Sequence, residues 1–271
     1  MENIIEVRHL TKLFKKFKAV DDISFNIKKG EIFGFLGPNG AGKSTTIRIL
    51  TTLLRPTSGE ATISGHDLVK EQDKVREHIG LVAEKIILYD HLTARENLQF
   101  FGHLFNLSKE EIEERTSGWI KKLHMADWLN SQVRTFSTGM KQRINIVRAL
   151  LTKPDILFLD EPTLGLDPQT THLIRGFIKE LNNQGVTVLL TTHDMIEAEA
   201  LSDRVAIIDR GKIVAQDSVE NLFKLVSDKE KPTLEDVFLS ITGKEIRDGL
   251  NKKVGGGEHH PMAPKINNRV R

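Results

Sequence analysis

The chain has 271 residues, 39 Lys and Arg against 37 Asp and Glu for a formal net charge of +2, and no cysteine. Near-balance of charge gives no basic field that would track nucleic acid, and the missing thiols exclude disulfides and cysteine chemistry and fit a reducing compartment. No apolar run approaches the ~20 residues of a membrane helix, residues 1–6 lack the basic and apolar regions of a signal peptide, and the length suits one large domain or two modest ones.

Residues 4–10 alternate loosely, as an antiparallel strand does, and residues 20–27 alternate again through Val20, Ile23, Phe25 and Ile27. Together they predict a small antiparallel β layer. Phe14 and Phe17 sit in a lysine-rich stretch of that layer. Either ring could stack on a base or simply be a partly exposed core aromatic.

A turn at residues 28–30 leads into an apolar run, Ile32–Leu36, which reads as a buried strand. Next comes Gly37-Pro-Asn-Gly-Ala-Gly-Lys-Ser-Thr45, which fits G-x-x-x-x-G-K-[ST] at every fixed position. A helix pattern over residues 43–54 follows. Strand, glycine loop and helix together form the phosphate-binding loop. Gly37, Gly40 and Gly42 allow close backbone approach to an anion, and the N–H groups of the loop, with Asn39, Ala41 and Thr45, face negative charge. Lys43 is expected to reach the β- and γ-phosphates of a nucleoside triphosphate, and Ser44 to hold Mg²⁺.

Further on, residues 56–59 turn, residues 60–64 form a short strand, and a charged helix ends near His78 before the strand Ile79–Val82. Residues 92–128 change character. They are charged, poor in β-branched residues and helical in pattern, which predicts a helical insertion (residues 85–150 at its widest) without the Pro/Gly/Ser-rich joints of a separate domain. A helix over residues 140–151 precedes a turn and the run Ile156–Asp160, whose apolar residues predict a strand buried on both faces. Residues 171–184 make an amphipathic helix with Gly185 at its C-terminal cap. Residues 186–190 and Arg204–Asp209 are further strands. The alternation predicts an α/β fold with a mostly parallel sheet. Residues 232–248 read as one more helix with Thr233 and Asp236 at its start, and residues 249–271 as a flexible polar tail. His259 and His260 in that tail are expected to be solvated.

Asp160 ends a buried strand and Glu161 follows it. Ligands in such sheets bind at the carboxyl ends of strands, so an acid there can hold Mg²⁺ and a second can direct the attacking water.

These stretches resemble the ATP-binding subunit of an ABC transporter, in order and spacing, over residues 4–225. Gly37 to Thr45 resembles the Walker A motif, Ile156–Asp160 with Glu161 the Walker B motif, Phe136-Ser-Thr-Gly-Met-Lys-Gln-Arg143 the family's signature, Pro162 to Asp167 the D-loop, and Thr191-Thr-His-Asp194 the stretch bearing the switch histidine, His193. The resemblance implies a P-loop NTPase core at residues 1–225, a C-terminal extension at 226–248, and MgATP as cofactor. It implies catalytic roles for Glu161, His193 and Lys43 and adenine stacking at Phe14. Ser137 and Gly139, at the start of a helix, make a second anion site, although Ser137 could equally be a plain helix cap. In the family the two sites of one chain lie far apart, so each ATP is sandwiched head to tail between two chains. The implied partners are a second copy and a separate membrane-spanning permease, not nucleic acid. The implied place is the cytoplasmic face of the membrane.

Two departures stand out. Glu84 occupies the position where the family usually carries a glutamine; a carboxylate can ligate Mg²⁺ but cannot donate as an amide does. The signature reads Ser-Thr-Gly-Met-Lys. That signature and the ending Pro232 to Gly243 resemble the branch that exports drugs, antibiotics and lipids. Residues 85–92, with Ile86, Ile87, Leu88 and Tyr89, are the expected contact with the permease or else a buried loop. A soluble ABC ATPase unconnected with transport and a non-hydrolysing regulatory binder are the alternatives; the intact Asp160–Glu161 pair argues against the latter.

Overall fold

In the computed structural model, which describes residues 2–226 and 230–251, the chain opens with a long hairpin of β1 (Asn3–Phe14) and β2 (Phe17–Lys28). It continues through β3 (Ile32–Leu36), α1 (Lys43–Leu50), β4 (Ser58–Ile63), β5 (His66–Asp67), α2 (Gln72–His78) and β6 (Ile79–Val82). The helices α3 (Ala94–Leu104), α4 (Lys109–Lys122) and α5 (Thr138–Ala149) come next. Then follow β7 (Ile156–Asp160), α6 (Pro168–Asn183), β8 (Thr187–Thr192), α7 (Met195–Leu201), β9 (Arg204–Asp209), β10 (Lys212–Ser218), α8 (Val219–Phe223) and α9 (Leu234–Asn251).

The strands form two sheets. One has the order β2-β1-β4-β5 and is antiparallel; the other has the order β10-β9-β3-β8-β7-β6 and is parallel except for its β9–β10 edge. The parallel strands β3, β7 and β8 are buried at every position, as strands covered on both faces must be. Between the sheets lies one apolar cluster, in which Phe25 packs against Phe33 and Phe35 with ring centroids 5.6 and 5.2 Å apart. On the other face a second cluster joins Leu157 and Leu159 of β7 to Leu98, Ile112 and Ile120 of the helical insertion. The insertion thus shares a core with the sheet. Its two lead helices each begin with a capping box, Thr93 with Glu96 and Ser108 with Glu111. They cross closely at Gly102, where a Cβ would stand 2.4 Å from the Ile112 side chain.

Several expected boundaries move. The first hairpin is longer than residues 4–10 and 20–27 because His9 and Asp22 adopt left-handed φ values of 51° and 56°, and the register shifts beside them. Such bulges break the alternation that marks a strand in sequence. α1 stops at Leu50 rather than 54: Thr51 bonds back to Ile47 O at 2.8 Å and Thr52 turns left-handed at φ 62°. β10 and α7 were not anticipated; β10 is a half-exposed edge strand with no clean apolar period. α9 packs Leu234, Val237 and Phe238 against α7 and α8. It reaches Asn251, just past the expected start of the tail. The rest of that tail, with His259 and His260, lies outside the described residues.

Candidate functional site

The site sits where the carboxyl ends of β3, β7 and β8 meet. Parallel pairing sets Leu36 beside Thr192 and Asp160 beside Thr191, so the glycine loop after β3 and the acids after β7 arrive on one edge of the sheet. Two glycines are obligatory in that loop. At Gly37 a Cβ would lie 2.2 Å from Ile208 O, and Gly42, at φ 111°, would put one 2.4 Å from Ala19 O. Gly42 also starts α1, whose N-terminus faces the site.

Lys43 is almost fully buried. Its Nζ donates to Gly37 O at 2.6 Å and Pro38 O at 3.3 Å and lies 3.2 Å from Glu161 Oε1. That last contact is an ion pair outside hydrogen-bond geometry, and Glu161 Oε1 is a buried oxygen that accepts no hydrogen bond. Glu161 Oε2 instead pairs with His193 Nδ1 at 2.8 Å. Glu161 itself sits at φ 51°, a conformation that costs a non-glycine residue about 1–3 kcal/mol and recurs where function demands it. Its backbone N–H donates to Thr191 O and Thr191 Oγ1, which holds the turn.

Asp160 accepts hydrogen bonds from Ser44 Oγ at 3.1 Å and Thr191 Oγ1 at 2.6 Å. Ser44 and Asp160 form a hard-oxygen donor set of the kind Mg²⁺ takes, and Glu161 Oε1, which accepts no hydrogen bond, is an acceptor open to a water. Thr191, which the sequence marks only as part of the stretch bearing His193, bonds to the Asp160 carboxylate and to the Glu161 backbone N–H.

A cleft of about 420 Å³ opens over these groups, lined by Phe14, Phe17, Asn39, Gly40, Gly42, Lys43, Ser44, Thr45, Glu84, Glu161 and Leu164 among others. Phe14 and Phe17 pair across the hairpin turn and are 46% and 63% exposed, so the hairpin end offers two rings to the cleft. Glu84 lines the same cleft but, among the described residues, makes no hydrogen bond to the Ser44–Asp160 pair. Ser137 caps α5 by accepting from Met140 N at 3.2 Å. Neither Ser137 nor Gly139 lines the cleft.

Residues 85–92 divide. Leu88 packs on the core, whereas Ile87 and Tyr89 are 53% and 49% exposed. The segment is tied down from both sides: Asn97 bonds to Tyr89 N and O, and Lys141 of α5 bonds to Asp90 at 2.7 Å. No helix among the described residues is long and apolar enough to cross a membrane.

A family model described as ABC transporter matches residues 20–164. The chain is 43% identical over 212 residues to the linearmycin resistance ATP-binding protein LnrL of Bacillus subtilis (strain 168), a match covering 78% of this chain and 68% of that one. It is 41% identical over 218 residues to the daunorubicin/doxorubicin resistance ATP-binding protein DrrA of Streptomyces peucetius, covering 80% of this chain and 66% of that one. Among solved structures, an ATP-binding cassette in a dimeric post-hydrolysis state bound to ADP and Pi aligns with a TM-score of 0.72 and 31% identity, over 79% of this chain and 98% of that one.

Proposed function

The chain belongs to the ABC transporter family as an ATPase subunit, and on that footing we propose that it powers a membrane exporter, with each ATP held between the phosphate loop of one copy and the Ser137–Gly139 turn of another. The observation that carries this reading is the cluster at the strand ends: Lys43, Ser44 and Glu161 line one cleft, with Asp160 bonded to Ser44 and His193 to Glu161, while Ser137 and Gly139 lie outside that cleft. A site split in this way is completed by a second chain. The drug- and antibiotic-resistance names of its relatives favour export.

Each residue has a distinct task in the proposal. Loop N–H groups and Lys43 take the phosphates, and Lys43 then exchanges its contact with Glu161 for one with phosphate oxygen. Ser44 and Asp160 hold Mg²⁺, which when bound neutralises charge on the β- and γ-phosphates. Thr191 keeps Asp160 and Glu161 in place. Glu161, whose Oε1 accepts no hydrogen bond, takes a proton from the attacking water, and His193 orients its other oxygen. Glu84 at the cleft rim adds a charge that a glutamine would lack. In the same proposal a separate permease docks on Ile87 and Tyr89 and the subunit works at the inner membrane surface; the exposure of both residues, and the groove of about 580 Å³ that runs from Ile87 past Glu84 to Asp160, support this reading.

Glu161→Gln keeps size and removes basicity. We expect MgATP binding to survive, turnover to fall by at least about 100-fold, the upper end of the usual general-base contribution being ~10⁴, and light scattering to show a monomer without nucleotide and a dimer with MgATP, since a ligand held only by the dimer stabilises it. Hydrolysis at the wild-type rate would overturn the role of Glu161. A variant that stalls but stays monomeric would remove the sandwich of two copies.

A further inference from the structure

α5 carries a polar stripe on a face that is packed against the core. Gln142, Asn145 and Arg148 recur every third residue and so share one side of the helix. Gln142 and Asn145 are 5% and 0% exposed. Each residue bonds to the next: Asn145 Nδ2 donates to Gln142 Oε1 at 3.4 Å, and Arg148 Nε donates to Asn145 Oδ1 at 3.1 Å. The stripe leaves the helix at both ends. Gln142 Nε2 donates to the carbonyl of Pro162, the residue after Glu161, at 2.8 Å. Arg148 Nη2 donates to Leu81 O at 3.1 Å, on the strand that delivers Glu84. The guanidinium also stands 4.9 Å from the centre of the Phe101 ring, which lies 6.0 Å from that of Tyr89.

Arg148 is an unusual choice at this place. Its guanidinium is held below its ordinary pKa by burial, and no carboxylate is paired with it among the described residues. A largely desolvated cation without an acid is costly, and packing alone would be served by Met or Leu. What the guanidinium adds is geometry: fixed, planar donors that reach two acceptors in different directions while one face covers a ring.

We propose that Arg148 is a positioning residue for ATP hydrolysis, holding the Leu81–Tyr89 segment in register with the turn that bears Glu161. The proposal rests on the ATPase reading above. Because Arg148 touches neither the cleft nor any group assigned to phosphate, its loss leaves nucleotide binding in place and misaligns the two sides of the site. The same stripe connects the exposed Tyr89 to the catalytic turn, so a partner that pulls on residues 85–92 acts on Glu161 through it.

The test compares steady-state ATP hydrolysis by the full chain carrying Arg148→Met or Arg148→Lys, with MgADP affinity measured by titration calorimetry. Met keeps the length of the stem and removes every donor. Lys keeps the charge and rotatable donors but lacks the planar fork that reaches Asn145 and Leu81 in fixed directions. Removal of supporting groups around a site costs about 10–100-fold in activity, so we expect kcat to fall about tenfold or more in Arg148→Met and to recover part of the way in Arg148→Lys. KM and MgADP affinity should stay within about threefold of wild type in both, because mutations away from a ligand shift coupling rather than contact. If Arg148→Met does not fold, Arg148→Lys decides alone. Wild-type kcat in a folded Arg148→Met, or in Arg148→Lys, overturns the proposal, as does a loss confined to MgADP affinity. An inactive wild-type chain would overturn the ATPase reading instead, which keeps the two failures apart.

Discussion

At the scale of single residues, the site works by controlled incompleteness. Most buried polar atoms in it have partners: Asp160 takes two hydrogen bonds and Lys43 gives two. Glu161 Oε1 alone accepts no hydrogen bond, although the Lys43 ammonium stands 3.2 Å away, in a residue whose backbone is itself strained. An oxygen without a hydrogen bond costs free energy in the resting protein, and that cost is recovered when a water donates to it. The hairpin end raises a question that geometry poses in a testable way, because Phe14 and Phe17 both line the cleft. Phe14→Ala is expected to weaken ATP binding by about 1–3 kcal/mol, the range of base–aromatic stacking, with Phe17→Ala having little effect. Equilibrium titration of both variants checks this. The reverse pattern would assign the stacking ring to Phe17, the more exposed of the two.

Helices illustrate how local chemistry sets element boundaries. Four of them start at a side chain that accepts a backbone N–H near the site or its flanks: Thr93, Ser137, Asp167 and Asp194. At Asp167 the bond from Thr170 N, 2.8 Å long, holds the carboxyl below the usual carboxylate range. A folded-state pKa below the unfolded one means that the stabilisation is present above the unfolded value, ~3.9 for an aspartate, and is lost as pH falls through the lower folded value. Asp167→Asn keeps a capping oxygen but no charge. The gap in urea midpoint between wild type and Asp167→Asn should therefore be widest near neutrality and narrow below about pH 4. A gap that does not change with pH would mean that the charge of Asp167 contributes nothing to the start of α6.

For the whole molecule, what matters most is that Ser137 and Gly139 stand outside the cleft that the glycine loop lines. The glycine loop lies at the carboxyl end of β3, a central strand of the parallel sheet, and Ser137 at the start of α5, outside the cleft. Under the proposed function, a triphosphate bridging the two would join copies instead of closing one copy on itself. Ser137→Arg in the Glu161→Gln background is expected to abolish the MgATP-dependent dimer seen by light scattering, because a bulky side chain blocks the helix N-terminus from phosphate. Replacing the cap also costs about 1 kcal/mol, so circular dichroism must show the helix content retained. A dimer that persists in the folded double variant would place the second anion site elsewhere.

Much of this protein was decided along the chain. The phosphate loop, the buried strands β3, β7 and β8, and the acids at Asp160 and Glu161 are legible because close backbone approach demands glycine, two-sided burial demands uninterrupted apolar runs, and both signals are local. The spacing of these motifs carried the family, the α/β fold and the expected site residues. Other features depended on contacts between distant stretches. The bulged hairpin hides its alternation, and the half-exposed edge strand β10 has none to show. The hydroxyl of Thr191 meets Asp160 only because β7 and β8 pair in one register. Arg148 reaches Leu81 and Phe101 only because the helical insertion packs on the sheet. Local patterning reports which face of an element is buried; which polar groups meet there is decided by tertiary packing, since hydrogen bonds and ion pairs depend on ångström distances between segments far apart in sequence.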